Sequence, residues 1–160
     1  MSIDRVKAFF RSLGREADIL EFPVSSATVE LAAQAVGVIP ARIAKTLSFL
    51  VDGVCVLVVC AGDGRIDNKK FKAQFHCKAK MPSPEEVSAL VGHSVGGVCP
   101  FAVNKGVQVY LDRSLQRFQT VFPAAGSNNS AIEMTCDELE QYSGSLCWVD
   151  VCKDWQADTP

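Results

Sequence analysis

Histidine is scarce in this chain, and the common metal-binding patterns are missing. Only two residues are histidine, and the seven cysteines contain no Cys-x-x-Cys pair. No His-Glu-x-x-His or His-x-Glu pattern occurs either. We therefore expect neither a metal site nor a bound cofactor, and a zinc-dependent nucleobase deaminase is disfavoured.

Long apolar runs are also lacking. The longest, Val54–Ala61, has roughly 8 residues, whereas a membrane-spanning helix needs about 20. The first residues lack the basic-then-apolar layout of a secretory signal, because charged side chains are spread among apolar ones. We expect a cytoplasmic protein without a membrane partner.

The cysteines do not suggest a disulfide framework, because their number is odd and no export signal precedes them. Cys55, Cys60 and Cys99 lie among apolar residues, where a free cysteine acts as a small buried hydrophobe. The alternative is a thiol nucleophile at Cys99, which needs a partner base. The sequence does not say whether His76 or His93 lies beside it, so both interpretations stay open.

Apolar periodicity and capping residues predict an α+β fold in a single domain spanning residues 1–160. The chain is 48% apolar and 21% charged, which suits one globular core. The predicted helices are 2–13, 28–36, 67–75, 84–91 and one that starts at the Thr135 and Glu138 capping box. The predicted strands are 19–22, 46–51, 54–60, 107–111, 121–125, 132–134 and 146–151. Residues 153–160 are expected to form a polar tail.

The clearest local signal is the Asp52-Gly53 pair between two apolar strands. This dipeptide takes the positive φ angles of a tight primed turn and predicts a hairpin. The strand that follows shows almost no polar alternation, so both its faces should be covered by protein. We expect it at the centre of the sheet.

Two short features are candidates for ligand binding. Lys45 stands at the start of an apolar strand, so its ammonium must reach solvent or an anion. Gly96 and Gly97 permit close approach of the backbone to a ligand, and Pro100 stiffens the exit from their loop. Each feature also has a structural interpretation, as a lysine stem lying along the core and as a tight connection.

Basic residues are concentrated in one segment. Residues 63–80 carry a net charge of +4, against −6 for the rest of the chain. Such a segment attracts phosphate groups, although a solvated helix face has the same composition. The candidates for phosphate contact are Arg65, Lys69, Lys70, Lys72, Lys78 and Lys80.

Residues 26–151 resemble the YbaK and prolyl-tRNA synthetase associated editing domain family. Several motifs carry the resemblance through their order and spacing: Ile43-Ala44-Lys45-Thr46-Leu47, Ala61-Gly62-Asp63 followed by Lys69, Gly96-Gly97-Val98-Cys99-Pro100-Phe101, Asp112, and Ala125-Gly126-Ser127. The family hydrolyses mischarged aminoacyl-tRNA without a metal, on a mixed, barrel-like sheet surrounded by helices. The resemblance implies this fold and a trans-editing deacylase activity.

The resemblance also implies roles for individual residues. Lys45 is similar to the family's lysine that fixes the terminal adenosine, and Gly96, Gly97 and Pro100 are similar to its loop beside the scissile ester. The residues implied in substrate binding are Thr46, Asp63, Phe101, Ala125, Gly126 and Ser127. One departure is Ala102, where many relatives have glycine after the Pro-Phe pair.

The implied substrate is the acceptor end of a mischarged tRNA, with a small amino acid such as Cys, Ala, Ser or Thr on proline tRNA. The basic segment would then contact acceptor-stem phosphates, with an aminoacyl-tRNA synthetase as a further partner and no role for DNA. Water attack assisted by a substrate ribose hydroxyl needs no side-chain base. The alternative is a non-catalytic module that binds a nucleotide, aminoacyl adenylate or amino acid. Either protein is expected to be a monomer or homodimer.

Overall fold

A computed structural model of the chain describes residues 2–94 and 96–155. The helices are α1 (Ser2–Ser12), α2 (Val29–Val36), α3 (Asn68–Phe75), α4 (Pro84–Val91) and α5 (Cys136–Ser143). The strands are β1 (Ile19–Glu21), β2 (Ile43–Val51), β3 (Val54–Ala61), β4 (Arg65–Ile66), β5 (Gln108–Asp112), β6 (Thr120–Pro123), β7 (Ser130–Ile132), β8 (Met134–Thr135), β9 (Cys147–Val149) and β10 (Cys152–Lys153). None of these helices has the length and apolarity that crossing a membrane requires.

A curled, mixed sheet of six strands forms the centre of the fold. Its strands lie in the order β8-β6-β2-β3-β5-β9. β3 is antiparallel to β2 and parallel to β5, while β2 is parallel to β6. Two small antiparallel sheets, β1 with β7 and β4 with β10, lie outside it. The predicted α+β fold with a mixed, barrel-like sheet is confirmed.

The hairpin of β2 and β3 forms as predicted. Its turn residues Asp52 and Gly53 have φ angles of 50° and 78°, which a two-residue primed turn requires. β3 is paired on both sides, and all its residues after Val54 are buried. β2 begins at Ile43, three residues earlier than predicted. Lys45 therefore lies inside the strand instead of at its start.

Local capping explains where the helices begin. The Thr28 hydroxyl accepts a hydrogen bond from the Leu31 N–H at the start of α2, and the Asp67 carboxylate accepts two at the start of α3. The predicted capping box of Thr135 and Glu138 is present at α5. These predictions are confirmed. The caps were predictable because each depends on contacts within four residues of chain.

Helices cover both faces of the sheet. On one face, α1, α4 and α5 pack over a core that includes Phe10, Leu57 and Phe101. On the other face, α3 inserts Phe71 against Phe49, with ring centroids 4.8 Å apart. Burial on both sides of β3 accounts for the apolar run that marked it as central.

The end of the chain departs from the predicted single strand and polar tail. Of the strand expected at 146–151, only β9 forms, and β10 follows it outside the predicted range, where Lys153 pairs with Arg65 of β4. The indole of Trp155 lies 5.0 Å from the Arg117 guanidinium. Residues 153–155 are therefore packed on the domain, and residues 156–160 of the expected tail lie outside the described residues.

Candidate functional site

A cavity of about 450 Å³ lies against β2. Six consecutive strand residues, 43–48, contribute to its lining. The facing walls come from the segment before α2, the loop after α4 and strand β7, and they include Ala27, Thr28, Gly96, Val98 and Ser130. A concave, mainly apolar space of this size with a few polar groups is typical of a small-ligand site.

Lys45 lines this cavity, and backbone carbonyls hold its ammonium. The Nζ atom donates hydrogen bonds to the carbonyl oxygens of Gly64 and Gly62, the latter at 3.4 Å. Both carbonyls belong to the turn that follows β3. An ammonium has three donors, so these two bonds leave one N–H of Lys45 unused.

The glycine loop forms the opposite side of the site. Gly96 lines the cavity and has a φ of 94°, a left-handed conformation that favours glycine. A Cβ atom on Gly97 would lie 2.8 Å from Ser127 Cα, so the loop packs directly on the backbone of Gly126 and Ser127. The structure thus brings together two segments that the sequence analysis singled out separately.

Other residues implied in the site lie behind its wall. Phe101 is fully buried, with its ring centroid 5.0 Å from that of Phe10, and does not line the cavity. Ala125 also belongs to the buried core, and its neighbour Ala124 lines the cavity instead. Pro100 is buried as well. These residues hold the loop in place from within the core.

Asp63 forms a salt bridge and lies away from the cavity lining. Its two carboxylate oxygens accept hydrogen bonds from Arg117 at 2.6 and 2.9 Å, and the Arg117 side chain is only 3% exposed. This two-bond geometry fixes the turn from Gly62 to Gly64. Asp63 therefore positions the carbonyls that hold Lys45.

Gly126 and Ser127 line another cavity, of about 420 Å³, which also contacts His93. Ser127 nevertheless supports the first cavity, because its hydroxyl hydrogen-bonds to the Ser130 hydroxyl at 2.7 Å. Ser130 is 2% exposed and lines the first cavity. The segment implied in substrate binding therefore contributes through Ser130.

Cys99 is not placed as a nucleophile. Its side chain is fully buried, and burial raises the pKa of its thiol to about 12. Its sulfur lies 3.6 Å from His93 Nε2, but burial lowers the pKa of that imidazole, so neither group is charged near neutral pH. In residues 2–94 and 96–155, no cluster of three or more His, Cys, Asp or Glu side chains could hold a metal ion.

The sequence Gly92-His93-Ser94-Val95-Gly96 matches the Gly-x-Ser-x-Gly pattern of α/β-hydrolases, which sequence reasoning overlooked. That nucleophile requires a sharp turn between a strand and a helix. Ser94 instead follows α4, and His93 is buried with its Nε2 2.7 Å from the Phe101 carbonyl oxygen. The described residues around Ser94 therefore do not form the strand-to-helix turn that a serine nucleophile of this class requires.

The basic segment, residues 63–80, begins in the turn whose carbonyls hold the Lys45 ammonium and ends beside the cavity. Arg65, Lys69, Lys72, Lys78 and Lys80 are exposed. By contrast, Lys70 is partly buried and forms a 3.1 Å salt bridge with Asp150. The Lys80 carbonyl accepts a hydrogen bond from the Leu50 N–H of β2, and the next residue, Met81, lines the cavity.

Several lining residues carried no signal in the sequence. Ala27, Met81 and Ser130 lie in different parts of the chain and match no recognised motif. Met81 lines the cavity and is 62% exposed. Only the packing of the segment before α2, the segment before α4 and β7 against β2 brings these residues together.

Comparison with known proteins identifies the family. The profile of the aminoacyl-tRNA editing domain matches residues 24–142. This chain belongs to the aminoacyl-tRNA editing domain family. A crystal structure of a candidate trans-editing enzyme for prolyl tRNA synthetase matches with a TM-score of 0.85 and 30% identity, covering 95% of this chain and 97% of that one. The hypothetical protein APE2540 matches with a TM-score of 0.81 and 29% identity, over 93% and 99% of the two chains.

Sequence relatives of this editing domain include both short and long proteins. The uncharacterized protein YwhH of Bacillus subtilis (strain 168) is 55% identical over 157 residues, covering 98% of this chain and 100% of that protein. A proline–tRNA ligase of Solidesulfovibrio magneticus is 37% identical over 90 residues, covering 55% of this chain and 15% of the ligase. The matches span only 15–19% of the length of the proline–tRNA ligases.

Proposed function

We propose that this protein is a trans-editing deacylase that hydrolyses the ester of a mischarged aminoacyl-tRNA. The observation that carries the proposal is the cavity between β2 and the Gly96 loop, which Lys45 lines while the Gly62 and Gly64 carbonyls hold its ammonium. Its membership of the editing domain family supports the same conclusion. The resemblance to proline–tRNA ligases makes proline tRNA the proposed carrier and a synthetase a proposed partner. Because aminoacyl-tRNA is a cytoplasmic substrate, we expect the protein to act in the cytoplasm.

The catalytic proposal uses positioning and backbone dipoles. Lys45 holds the terminal adenosine end, and the loop of Gly96, Gly97 and Pro100 orients a water and stabilises the developing oxyanion. A ribose hydroxyl of the substrate assists proton transfer, so no side-chain base is needed. Preorganised dipoles and orientation can supply much of the required barrier reduction.

The substrate enters along a continuous path in this proposal. Acceptor-stem phosphates contact the basic residues of segment 65–80, and the aminoacyl ester reaches the cavity past Met81. The small side chain of Cys, Ala, Ser or Thr occupies the interior. Apolar lining residues such as Val87 and Val98 limit its size.

The test is release of labelled amino acid from alanyl-, cysteinyl-, seryl- and threonyl-tRNA(Pro) by the native protein and by Lys45→Met. Methionine keeps the apolar stem but removes the charged donor, so we expect kcat/KM to fall by about 10² for the preferred substrate. Lys105→Met, at an exposed loop position, is the matched control and should keep native turnover. Unchanged turnover of Lys45→Met would remove the role of Lys45. No release from any substrate by the native protein would favour a non-catalytic binding module.

A further inference from the structure

We propose that the main chain of β2 itself binds the α-ammonium and the ester carbonyl of the aminoacyl group, at Thr46. The inference rests on the proposed function for the identity of the ligand. It concerns the main-chain groups of an unpaired stretch on the outer edge of β2, whereas the resemblance implied only that Thr46 contributes to substrate binding. The site would accept α-amino acid esters with a free amine and exclude N-acylated ones.

The register of the hairpin fixes which backbone groups point outward. Val51 pairs with Val54 across the two-residue turn, so the N–H and C=O groups of Val51 point toward β3. Backbone groups of successive strand residues point to opposite sides, and those of Leu50 therefore point away from β3. The Leu50 N–H confirms this direction, because it bonds the Lys80 carbonyl at 2.8 Å. By the same alternation, the backbone groups of Thr46 and Ser48 point outward.

The outward backbone groups of Thr46 and Ser48 lie between the two segments that bond to this side of β2, which are β6 and Lys80. β6 pairs with β2 only at Ile43 and Ala44, where Pro123 is the last partner. The chain then turns away, and Ala124 bridges to Ala131 instead. No backbone partner for Thr46 or Ser48 on this side occurs in the described part of the chain. An edge left unpaired beside a cavity is a ready template for a peptide-like ligand.

The cavity lies directly against this gap. Side chains of successive strand residues point to opposite faces, yet all six residues at 43–48 line the same cavity. A space that contacts both faces must wrap around the outer edge of the strand. The unpaired N–H and C=O groups of Thr46 are therefore oriented into the cavity.

An aminoacyl ester matches these two groups chemically. Its α-ammonium donates to the Thr46 carbonyl oxygen, and its ester carbonyl oxygen accepts from the Thr46 N–H. The pair of bonds forms the same ring as a hydrogen-bonded antiparallel residue pair. The N–H also stabilises negative charge that develops on the carbonyl oxygen during water attack.

This pairing also orients the substrate side chain. Directly opposed residues in an antiparallel pair project their side chains to the same face. The amino acid side chain would therefore lie on the Thr46 face, where Val87 and Val98 belong to the core and line the cavity. Thr46 is favoured over Ser48 because it is the first unpaired position after β6 and adjoins Lys45.

The first test removes the N–H of Thr46 while keeping the strand. Thr46→Pro lacks the outward donor, and proline is tolerated where a strand N–H faces away from the sheet. Thr46→Val keeps the N–H and removes only the hydroxyl, which is buried without a partner among the described residues. We expect kcat/KM to fall at least about 10-fold in Thr46→Pro, relative to Thr46→Val. Equal activities in Thr46→Pro and Thr46→Val would overturn the proposal.

The second test uses the native protein, so it does not depend on the folding of a variant. Its probes are 3′-alanylamino-3′-deoxyadenosine, an amide that is not hydrolysed, and the N-acetyl derivative, with Kd measured by calorimetry. Loss of the ammonium should weaken binding at least about 10-fold, as expected for a charge-assisted hydrogen bond. Equal Kd values, or no binding of either probe, would overturn the proposal. Amine-dependent binding without deacylation by the native protein would support it while contradicting the proposed enzyme activity.

Discussion

Ala102 occupies a backbone conformation that L-amino acids seldom adopt. Its φ is 52°, and this is the position where the resemblance expects glycine. A left-handed conformation costs a side-chain-bearing residue about 1–2 kcal/mol, of which the greater freedom of unfolded glycine offsets part. We expect Ala102→Gly to raise the free energy of unfolding by up to roughly 1 kcal/mol and the Tm by about 2–4 °C. Thermal and urea denaturation would measure both.

The matched control for this prediction is Gly106→Ala. Gly106 has a φ of 95°, and a Cβ there would meet no atom within 4 Å. Any loss of stability therefore reports backbone strain alone, and we expect a decrease. A rise in Tm for Gly106→Ala, or a fall for Ala102→Gly, would contradict the strain argument.

Cys99 should resist alkylation and be dispensable for the chemical step. A thiol with a pKa of about 12 is ionised to about one part in 10⁴ at pH 8. We expect iodoacetamide at pH 8 to modify exposed Cys147 well before Cys99, as followed by peptide mass spectrometry. Cys99→Ser should retain deacylation within a few-fold. Rapid labelling of Cys99 together with loss of activity would restore the thiol mechanism.

The same burial gives stability a defined pH dependence. The thiol pKa is raised on folding, so the contribution of Cys99 is fully present below about pH 9, the ordinary thiol pKa. It is lost progressively as the pH rises from about 9 toward about 12. Cys99→Ala would remove this part of the alkaline destabilisation.

At the scale of elements, α3 and the segment after it should control tRNA affinity. Lys69 and Lys72 are exposed and three residues apart on α3, so they share one face. Replacing both with alanine should raise KM and lower the slope of log KM against log salt by roughly 2, about one per phosphate contact. The measurement is deacylation kinetics between about 50 and 200 mM salt.

Two controls separate phosphate contact from a general charge effect. Lys105→Ala changes the net charge by one but lies in the loop before β5, outside the basic segment. Aminoacyl-adenosine, which has no acceptor stem, should show the same KM with native and double-variant protein. An unchanged salt slope in the double variant would contradict tRNA contact through α3.

The elements themselves were predictable because their signals are local. The turn at Asp52 and Gly53 and the caps at Thr28 and Asp67 each involve a few neighbouring residues. The start of β2 was missed because residues 43–45 gain strand geometry from pairing with β6 and the far end of β3. Those partners are distant in the chain, so no local sequence pattern predicts the pairing.

At the scale of the whole molecule, the site is assembled from separate stretches of chain. Lys45 and Gly96 belong to the motifs identified in the sequence, and both reach the cavity. Phe101 and Asp63 belong to equally recognisable motifs, but one packs in the core and the other pairs with Arg117. Membership of a motif therefore predicted the region of the chain that forms the site, whereas tertiary packing determines the role of each residue.

The comparison with relatives also concerns the chain as a whole. The long relatives carry a similar stretch within proline–tRNA ligases, whereas YwhH matches over its full length. The described residues bury a continuous core on each face of the sheet, which is what independent folding requires.

The sequence by itself determined the fold class, the hairpin, the helix starts and the editing family, because these depend on short-range periodicity and on motif order. Only the tertiary structure decided that Lys45 is held by the turn carbonyls of Gly62 and Gly64 and that Cys99 is sealed in the core. It also decided that β2 has an unpaired edge at Thr46. The physical reason is that burial, charge partners and strand edges depend on contacts between residues far apart in the chain, which local patterns do not encode.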